Sequence, residues 1–395
     1  MAATDRQRIV AVLQGFDLGG SVAAACVHQL EALAPRYDCR LLSDRGSVQQ
    51  PCSIPVERLR VTELRVLRRF AHVPYQALFA ARVGWHLLRC NRRISPHLVI
   101  FHSHPPTALL APLLRRFLGC RVLMVMHGDI HDRPAGTYDP RLTWWYRVNT
   151  TAAYRRSDAV LALSPYMARM ALKAGAPTVH LVPNGVDASE IGLGPDAQPH
   201  IADPQHLLFV GRLEGNKGID LLLEAFCRLG SHWSRLQLTC IGSADPRTGL
   251  EPLQNQLKAH HLSERVHWLA PLPRQQLGPH YRTAALVVVP SRSETQSTVI
   301  MEAMAAGRAV LASDTGGNPM LVDHGTTGLL FRTGDAIHLA ECIEELLAAP
   351  QRLAAMGLAA QQRQQQRFSR QASRQALLRC IDALLPPNPG VPCRR

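Results

Sequence analysis

The run from Val287 to Gly307 constrains the fold most. Val287-Val288-Val289-Pro290 is an apolar, β-branched stretch stopped by proline, and reads as a buried strand. Ile300 to Ala306 is rich in Ala and Met and closes on Gly307, which reads as a helix. The loop between them sets Glu294 at the carboxyl end of a strand and Glu302 roughly one turn inside the helix. In a parallel α/β sheet, ligands bind at that edge, where helix N-termini offer free N–H groups to anions. A carboxylate there can accept hydrogen bonds from sugar hydroxyls, and the N–H groups suit a phosphate. The spacing suggests a site for a molecule that has both.

The same strand-then-helix grammar runs along the chain. Ile9 to Leu13 reads as a buried strand, followed by a Gly-bearing turn from Gly15 to Gly20 and a helix from Ser21 to about Leu33. Further strands read as Leu98–Phe101, Arg121–Met126 and Ala159–Leu163, with helical stretches between them. After Leu181-Val182-Pro183-Asn184-Gly185-Val186-Asp187, the stretch to Pro204 reads as a linker. A second series follows at Leu207–Val210, Leu236–Ile241, Val266–Leu269, Leu286–Val289 and Ala309–Ala312. Such alternation predicts two doubly wound α/β domains. The expected division is 1–183, 184–362, a C-terminal helix over 363–385 that packs back toward the first domain, and a loose tail over 386–395.

The 395 residues allow two domains, each with its own core. Ten cysteines lie scattered with no C-x-x-C pair, which argues against zinc and a disulfide framework and suits a reducing cytosol. The N-terminus lacks a signal-peptide apolar region, and Arg115, Arg116 and Arg121 interrupt the longest apolar run, Leu109–Met126. The expected location is cytoplasmic, peripheral on the cytoplasmic face of the inner membrane. Charge is lopsided. Residues 1–183 hold 24 Lys+Arg against 11 Asp+Glu, a net +13, whereas residues 184–395 hold 20 against 19, a net +1. The first half would draw anionic partners. Residues 58–93 hold nine arginines and one acid, Glu63. Amphipathic helices there fit either a solvated basic face or docking on an anionic membrane surface. Trp144-Trp145-Tyr146 fits core packing or acceptor and interfacial contacts.

A second chemical signal is Phe209-Val210-Gly211-Arg212-Leu213-Glu214-Gly215-Asn216-Lys217-Gly218. Two cations beside glycines at the end of a strand suit a diphosphate: arginine can grip bidentately, and lysine acts as a point charge. The plainer alternative is a pair of solvated loop cations.

Together, Val-Gly-Arg-Leu-(x)4-Lys-Gly at 210–218, Glu-x7-Glu at 294–302, Val-Pro-Asn-Gly-Val-Asp at 182–187 and Asp-Thr-Gly-Gly-Asn-Pro at 314–319 resemble the retaining glycosyltransferases of family 4. The resemblance implies a GT-B fold, two facing Rossmann-like domains with the site in the cleft. It implies that Arg212 and Lys217 neutralise a donor diphosphate, that Glu294 holds the donor sugar and that Glu302 holds the ribose. Gly211, Gln296, Ser297, Thr298 and Val299 would add donor contacts, and Gly19 and Gly20 would form the family's glycine loop, although a plain tight turn fits them equally. His127 matches a strand-end histidine facing the donor sugar, with a structural role as the alternative. At least one of His102 and His104 would line the cleft, without zinc. No metal or cofactor is expected beyond the nucleotide-diphosphate sugar.

The chain departs from the family pattern at Thr295-Gln296-Ser297, where Gly-Phe-Gly is frequent, at Met320, where Glu is frequent, and at Ala285, where Asp is frequent. The first change leaves the donor sugar open. The expected function is transfer from a nucleotide-diphosphate sugar to a hydroxyl, on a lipid-linked or polysaccharide precursor of the cell envelope or an exopolysaccharide. The alternatives are a sugar-nucleotide epimerase or hydrolase on the same fold, or a non-catalytic membrane or polyanion binder. No nucleic-acid motif is present, so nucleic acid is not an expected partner.

Overall fold

A computed structural model describes residues 6–13, 21–43, 53–59, 72–89, 95–102, 108–128, 140–194, 203–230, 232–246 and 248–385. The chain forms two compact units, Met1–Pro183 with Arg374–Arg395, and Asn184–Ser373.

The first unit is built on a parallel sheet of β1 (Arg8–Leu13), β2 (Asp38–Ser43), β3 (Val56–Arg58), β4 (Leu98–His102), β5 (Arg121–Val125), β6 (Ala159–Ala162) and β7 (Val179–Leu181). Their order is β3-β2-β1-β4-β5-β6-β7. The second unit's parallel sheet contains β8 (Asp203–Val210), β9 (Gln237–Ile241), β10 (Val266–Leu269), β11 (Ala284–Val289), β12 (Ala309–Ser313) and β13 (Gly328–Phe331). These run β10-β9-β8-β11-β12-β13. In each sheet the chain winds outward from a central strand, returns, and winds the other way. The reversal lies between β1 and β4 in one sheet and between β8 and β11 in the other. Covered on both faces, the central strands are apolar throughout: every residue of β4 and β11 is buried.

The sequence reading missed β2, β3, β7 and β13. Three of them are edge strands, where one side lacks a partner; polar residues are tolerated there in β3 and β7, whereas β13 is apolar but only four residues long. β3 and β7 have no fully buried residue. In β2, Asp38 and Arg40 alternate with buried neighbours. The expected linker is also ordered at its start. A 3-10 turn, Ala188–Ile191, sends Ile191 and Leu193 into the second unit's core.

A boundary at 362 would cut the helix Pro350–Arg367, which continues unbroken; the chain passes between units at Arg374, inside the helix Arg370–Leu384. Leu377, Cys380, Ile381 and Leu385 enter the first unit's apolar core. The Tyr37 hydroxyl donates to Asp382 Oδ1 at 2.9 Å. Among the described residues, no helix is long and apolar enough to cross a membrane.

Candidate functional site

The second unit's site grows from its sheet reversal. β8 and β11 are neighbours there, so the loops after both strands lie side by side. The first loop leaves β8 at Gly211 and makes a 3-10 turn, Gly215–Lys217. Gly218 has φ +71°, and a Cβ there would run into the carbonyl oxygen of Pro290, so only glycine lets the loops approach this closely. The Arg292 amide donates to Asn216 O at 2.9 Å, and its guanidinium grips Asp220 at 2.7 and 2.8 Å.

This seam brings two expected residues together. Lys217 Nζ donates to Glu294 Oε1 at 2.6 Å, and the Ser291 hydroxyl donates to the same oxygen at 2.9 Å. Glu294 Oε2 has no partner among the described residues. The carboxylate is thus pinned by one oxygen, with the other left open among the described residues. Its backbone is held from behind: Gly317 N–H donates to Glu294 O at 2.9 Å, and a Cβ on Gly316 would strike that same oxygen. The Asp314–Pro319 motif therefore serves as a backrest for Glu294. Arg212 behaves differently from expectation. It pairs with Glu214 at 2.9 Å, is largely exposed, and makes no bond to the Lys217–Glu294 pair.

The side chains of Gln296 and Ser297 are bonded to the protein. Gln296 is buried, and its amide closes on the backbone of Asn184, accepting from Asn184 N–H at 2.9 Å and donating to Asn184 O at 3.3 Å. Its side chain positions the loop and is committed away from a ligand, which also explains how the 182–187 motif reaches the site. The Ser297 hydroxyl caps the helix Thr298–Ala305 by accepting from Ile300 N–H at 3.4 Å. The first-turn amides of Thr298 and Val299 have no intrahelical acceptor and remain available to an anion.

Glu302 lies deeper than the sequence suggested. Only 4% of the residue is exposed, and both oxygens are engaged: Oε1 by Arg274 Nε at 2.6 Å, Oε2 by the Tyr281 hydroxyl at 2.7 Å. Burial and the neighbouring Glu302 charge push the Tyr281 hydroxyl well above its ordinary pKa, so it remains a proton donor. Arg274 also reaches Glu190 Oε2 at 2.6 Å, and Arg370 grips both Glu190 oxygens at 2.7 and 2.6 Å. Burial raises the Glu190 carboxyl, but the two arginines and the Asp187 N–H outweigh it and leave its pKa below the ordinary value. The sequence reading missed Arg274, Tyr281, Glu190, Arg370 and Ser291. Ser291 was findable as a hydroxyl just past a strand end. Partners of Glu302 and Glu190 that come from β10's exit loop and the last helix leave no local mark.

Two departures from the family pattern are taken up by apolar packing. Met320 packs against the apolar cluster around Leu321 and Val322, and Ala285 is buried within β11.

In the first unit, His102 ends β4 and His127 lies two residues beyond β5. His102 Nδ1 and His127 Nε2 are 2.9 Å apart, and their rings stack with centroids 5.2 Å apart. His127 is therefore a direct neighbour of His102. Such a contact needs one donor and one acceptor, so full protonation of both rings would put two N–H groups head to head. His104, Gly19 and Gly20 lie outside the described residues. Among the described residues, no three His, Cys, Asp or Glu side chains gather as a metal site.

The model of the glycosyl transferases group 1 matches residues 204–349, and that of Glycosyltransferase Family 4 matches residues 22–190. The chain is a family 4 glycosyltransferase. The GDP-mannose-dependent alpha-(1-6)-phosphatidylinositol monomannoside mannosyltransferase of Mycolicibacterium smegmatis is 29% identical over 289 residues, 69% of this chain and 73% of the relative. The D-inositol 3-phosphate glycosyltransferase of Corynebacterium jeikeium is 34% identical over 220 residues, 53% of this chain and 52% of that one. The chain thus spans about half the length of that second relative. The sucrose-phosphate synthase of Thermosynechococcus elongatus superposes with a TM-score of 0.79 at 23% identity, covering 96% of this glycosyltransferase and 99% of the other chain. Anabaena HepE in complex with UDP-glucose superposes at 0.73 with 20% identity, covering 95% and 100%. At these identities the likeness is one of fold, a GT-B fold with two Rossmann-like units.

Proposed function

We propose that this glycosyltransferase moves a sugar from a nucleotide-diphosphate donor to a hydroxyl of a phosphorylated or lipid-linked acceptor, with retention at the anomeric carbon and without a metal. The observation that supports this reading best is the Lys217–Glu294 contact at the β8/β11 reversal, beside the capped helix Thr298–Ala305. Glu294 Oε2 accepts from the donor sugar's hydroxyls. Lys217 and the amides of Thr298 and Val299 hold the diphosphate, and Arg212 swings from its exposed pairing to join them. The ribose hydroxyls donate to remaining lone pairs on Glu302, whose orientation Arg274 and Tyr281 fix.

In the reaction, the bond from the anomeric carbon to the β-phosphate oxygen breaks as the bond to the acceptor oxygen forms on the same face. The acceptor proton passes to the departing phosphate oxygen. Cations preorganised at that oxygen stabilise the charge it gains. A phosphorylated acceptor suits the net +13 of residues 1–183, and the relatives named above act on inositol phosphate and a phosphatidylinositol mannoside. A role in envelope or exopolysaccharide synthesis follows from the same reading.

Calorimetry with GDP-mannose and UDP-glucose tests the donor, and the anomeric proton coupling of the product tests the stereochemistry. Donor binding with formation of the α-linked product supports the reading. Inversion refutes retention, and release of free sugar in the presence of acceptor makes the protein a hydrolase.

A further inference from the structure

Eleven large apolar side chains stand exposed among the described residues, and nine of them belong to the first unit. The aromatic ones are Trp85, Phe117 and Trp144, exposed by 61, 61 and 65%. They lie on three helices, His72–Arg89, Ala111–Leu118 and Pro140–Arg156, packed side by side in that order. The connections from β3 through to β7 all step the same way across the sheet, so right-handed crossovers set these helices and Pro165–Lys173 on one face.

Each helix turns the same kind of triplet outward, at i, i+3 and i+4. The triplets are Trp85/Leu88/Arg89, Leu113/Arg116/Phe117, Trp144/Arg147/Val148 and Arg169/Leu172/Lys173, all exposed. The Arg89 guanidinium sits 5.6 Å from the Trp85 ring centroid. The four helices together carry ten Arg and Lys residues and no Asp or Glu. The helix Ser21–Leu33, whose β1-to-β2 connection steps the other way, has Glu31 and no Arg or Lys. The ten cations of these four helices thus share one face of the sheet, interleaved with exposed indole, phenyl and leucyl groups.

We propose that this four-helix layer docks the enzyme on an anionic lipid surface. Indole rings rest at headgroup level, leucine and phenylalanine side chains reach the acyl boundary, and arginine stems lie along apolar surface while their guanidinium groups reach lipid phosphates. A purely electrostatic polyanion site would not need the exposed Leu113, Phe117 and Val148. The docking surface thus extends well beyond the basic stretch at 58–93 and is independent of the donor chemistry.

The test is co-sedimentation of the full chain with phosphatidylcholine vesicles and with vesicles containing phosphatidylglycerol, together with tryptophan emission. Binding is expected only to the anionic vesicles, weakening with salt and accompanied by a blue shift. The triple variant Arg82→Gln/Arg116→Gln/Arg147→Gln should lose about fivefold in partitioning per charge, roughly a hundredfold in all. Trp85→Ala/Phe117→Ala/Trp144→Ala should lose both binding and the blue shift while melting like the parent. Equal binding to neutral vesicles, unchanged binding by either folded variant, or tighter binding to single-stranded RNA than to anionic vesicles would overturn the proposal.

Discussion

The two units use charge in opposite ways. In the second, Lys217, Arg212, Arg274, Arg292 and Arg370 each meet a carboxylate within 3 Å, and these pairs build the walls of the site. In the first, Arg82, Arg89, Arg116 and Arg147 stand outward from helices that contain no acid. A net charge of +14 for the whole chain conceals this division. Where charge is neutralised locally, it fixes side-chain geometry. Where it is left unmatched, it makes a field that acts on partners. The same distinction separates the two glutamates of one motif: Glu294 is pinned by one oxygen with the other left open, while Glu302 is engaged at both.

Breaking a pair in the second unit should therefore damage the site, and the largest effect is expected for Lys217→Ala. It removes both a donor-phosphate cation and the anchor of Glu294, so kcat/KM should fall about a hundred- to a thousandfold. A steady-state assay shows this; unchanged kcat/KM would mean that the pair is merely structural. A smaller loss, about 2 kcal/mol of stability at neutral pH, is expected for Glu190→Gln, which leaves Arg274 and Arg370 without their shared carboxylate. Because the folded Glu190 carboxyl lies below its ordinary value of 4.5, its stabilisation is full above that pH and fades as pH falls through the folded value. Melting curves between pH 7 and pH 3 should lose part of their acid dependence in the variant.

The smallest effect sharpens the comparison from the first unit. Tyr37→Phe removes the neutral donor to Asp382 and should cost about 1 kcal/mol. Faster amide exchange in the helix Arg370–Leu384 would report the loosened tail. Burial and then Asp382 raise the Tyr37 hydroxyl above its ordinary 10.0, so the wild-type contact contributes fully below that pH and is lost as pH rises further. The variant should lack this alkaline transition.

Much of the fold was legible because buried parallel strands are apolar on both faces. β1, β4, β5, β6, β8, β9, β11 and β12 were visible in this way, and the edge strand β10 through its apolar Val266, Trp268 and Leu269. β3 and β7 escaped because an edge strand does not need such a pattern, and β2 because polar residues alternate through it; β13 is apolar and mostly buried but only four residues long and opens on a glycine. The site was half legible. Glu294, Lys217 and the capped helix announce themselves through glycines, proline and spacing, which are local signals. Gln296 and Arg212 were named for the ligand, but their side chains found protein partners, Asn184 and Glu214, in the folded chain.

The sequence by itself determined the two winding α/β series, the strand-end loops of the second unit that hold the charged residues, and the excess of positive charge in the first half. Only the tertiary structure decided which oxygen of Glu294 stays open, that Glu302 is clamped by Arg274 and Tyr281, that His102 meets His127, and that Arg82, Arg89, Arg116 and Arg147 share one face. Strand and helix patterns repeat over a few residues and can be read locally. These pairings join positions 21 to 180 residues apart, and only the completed sheet order and crossover handedness bring them together.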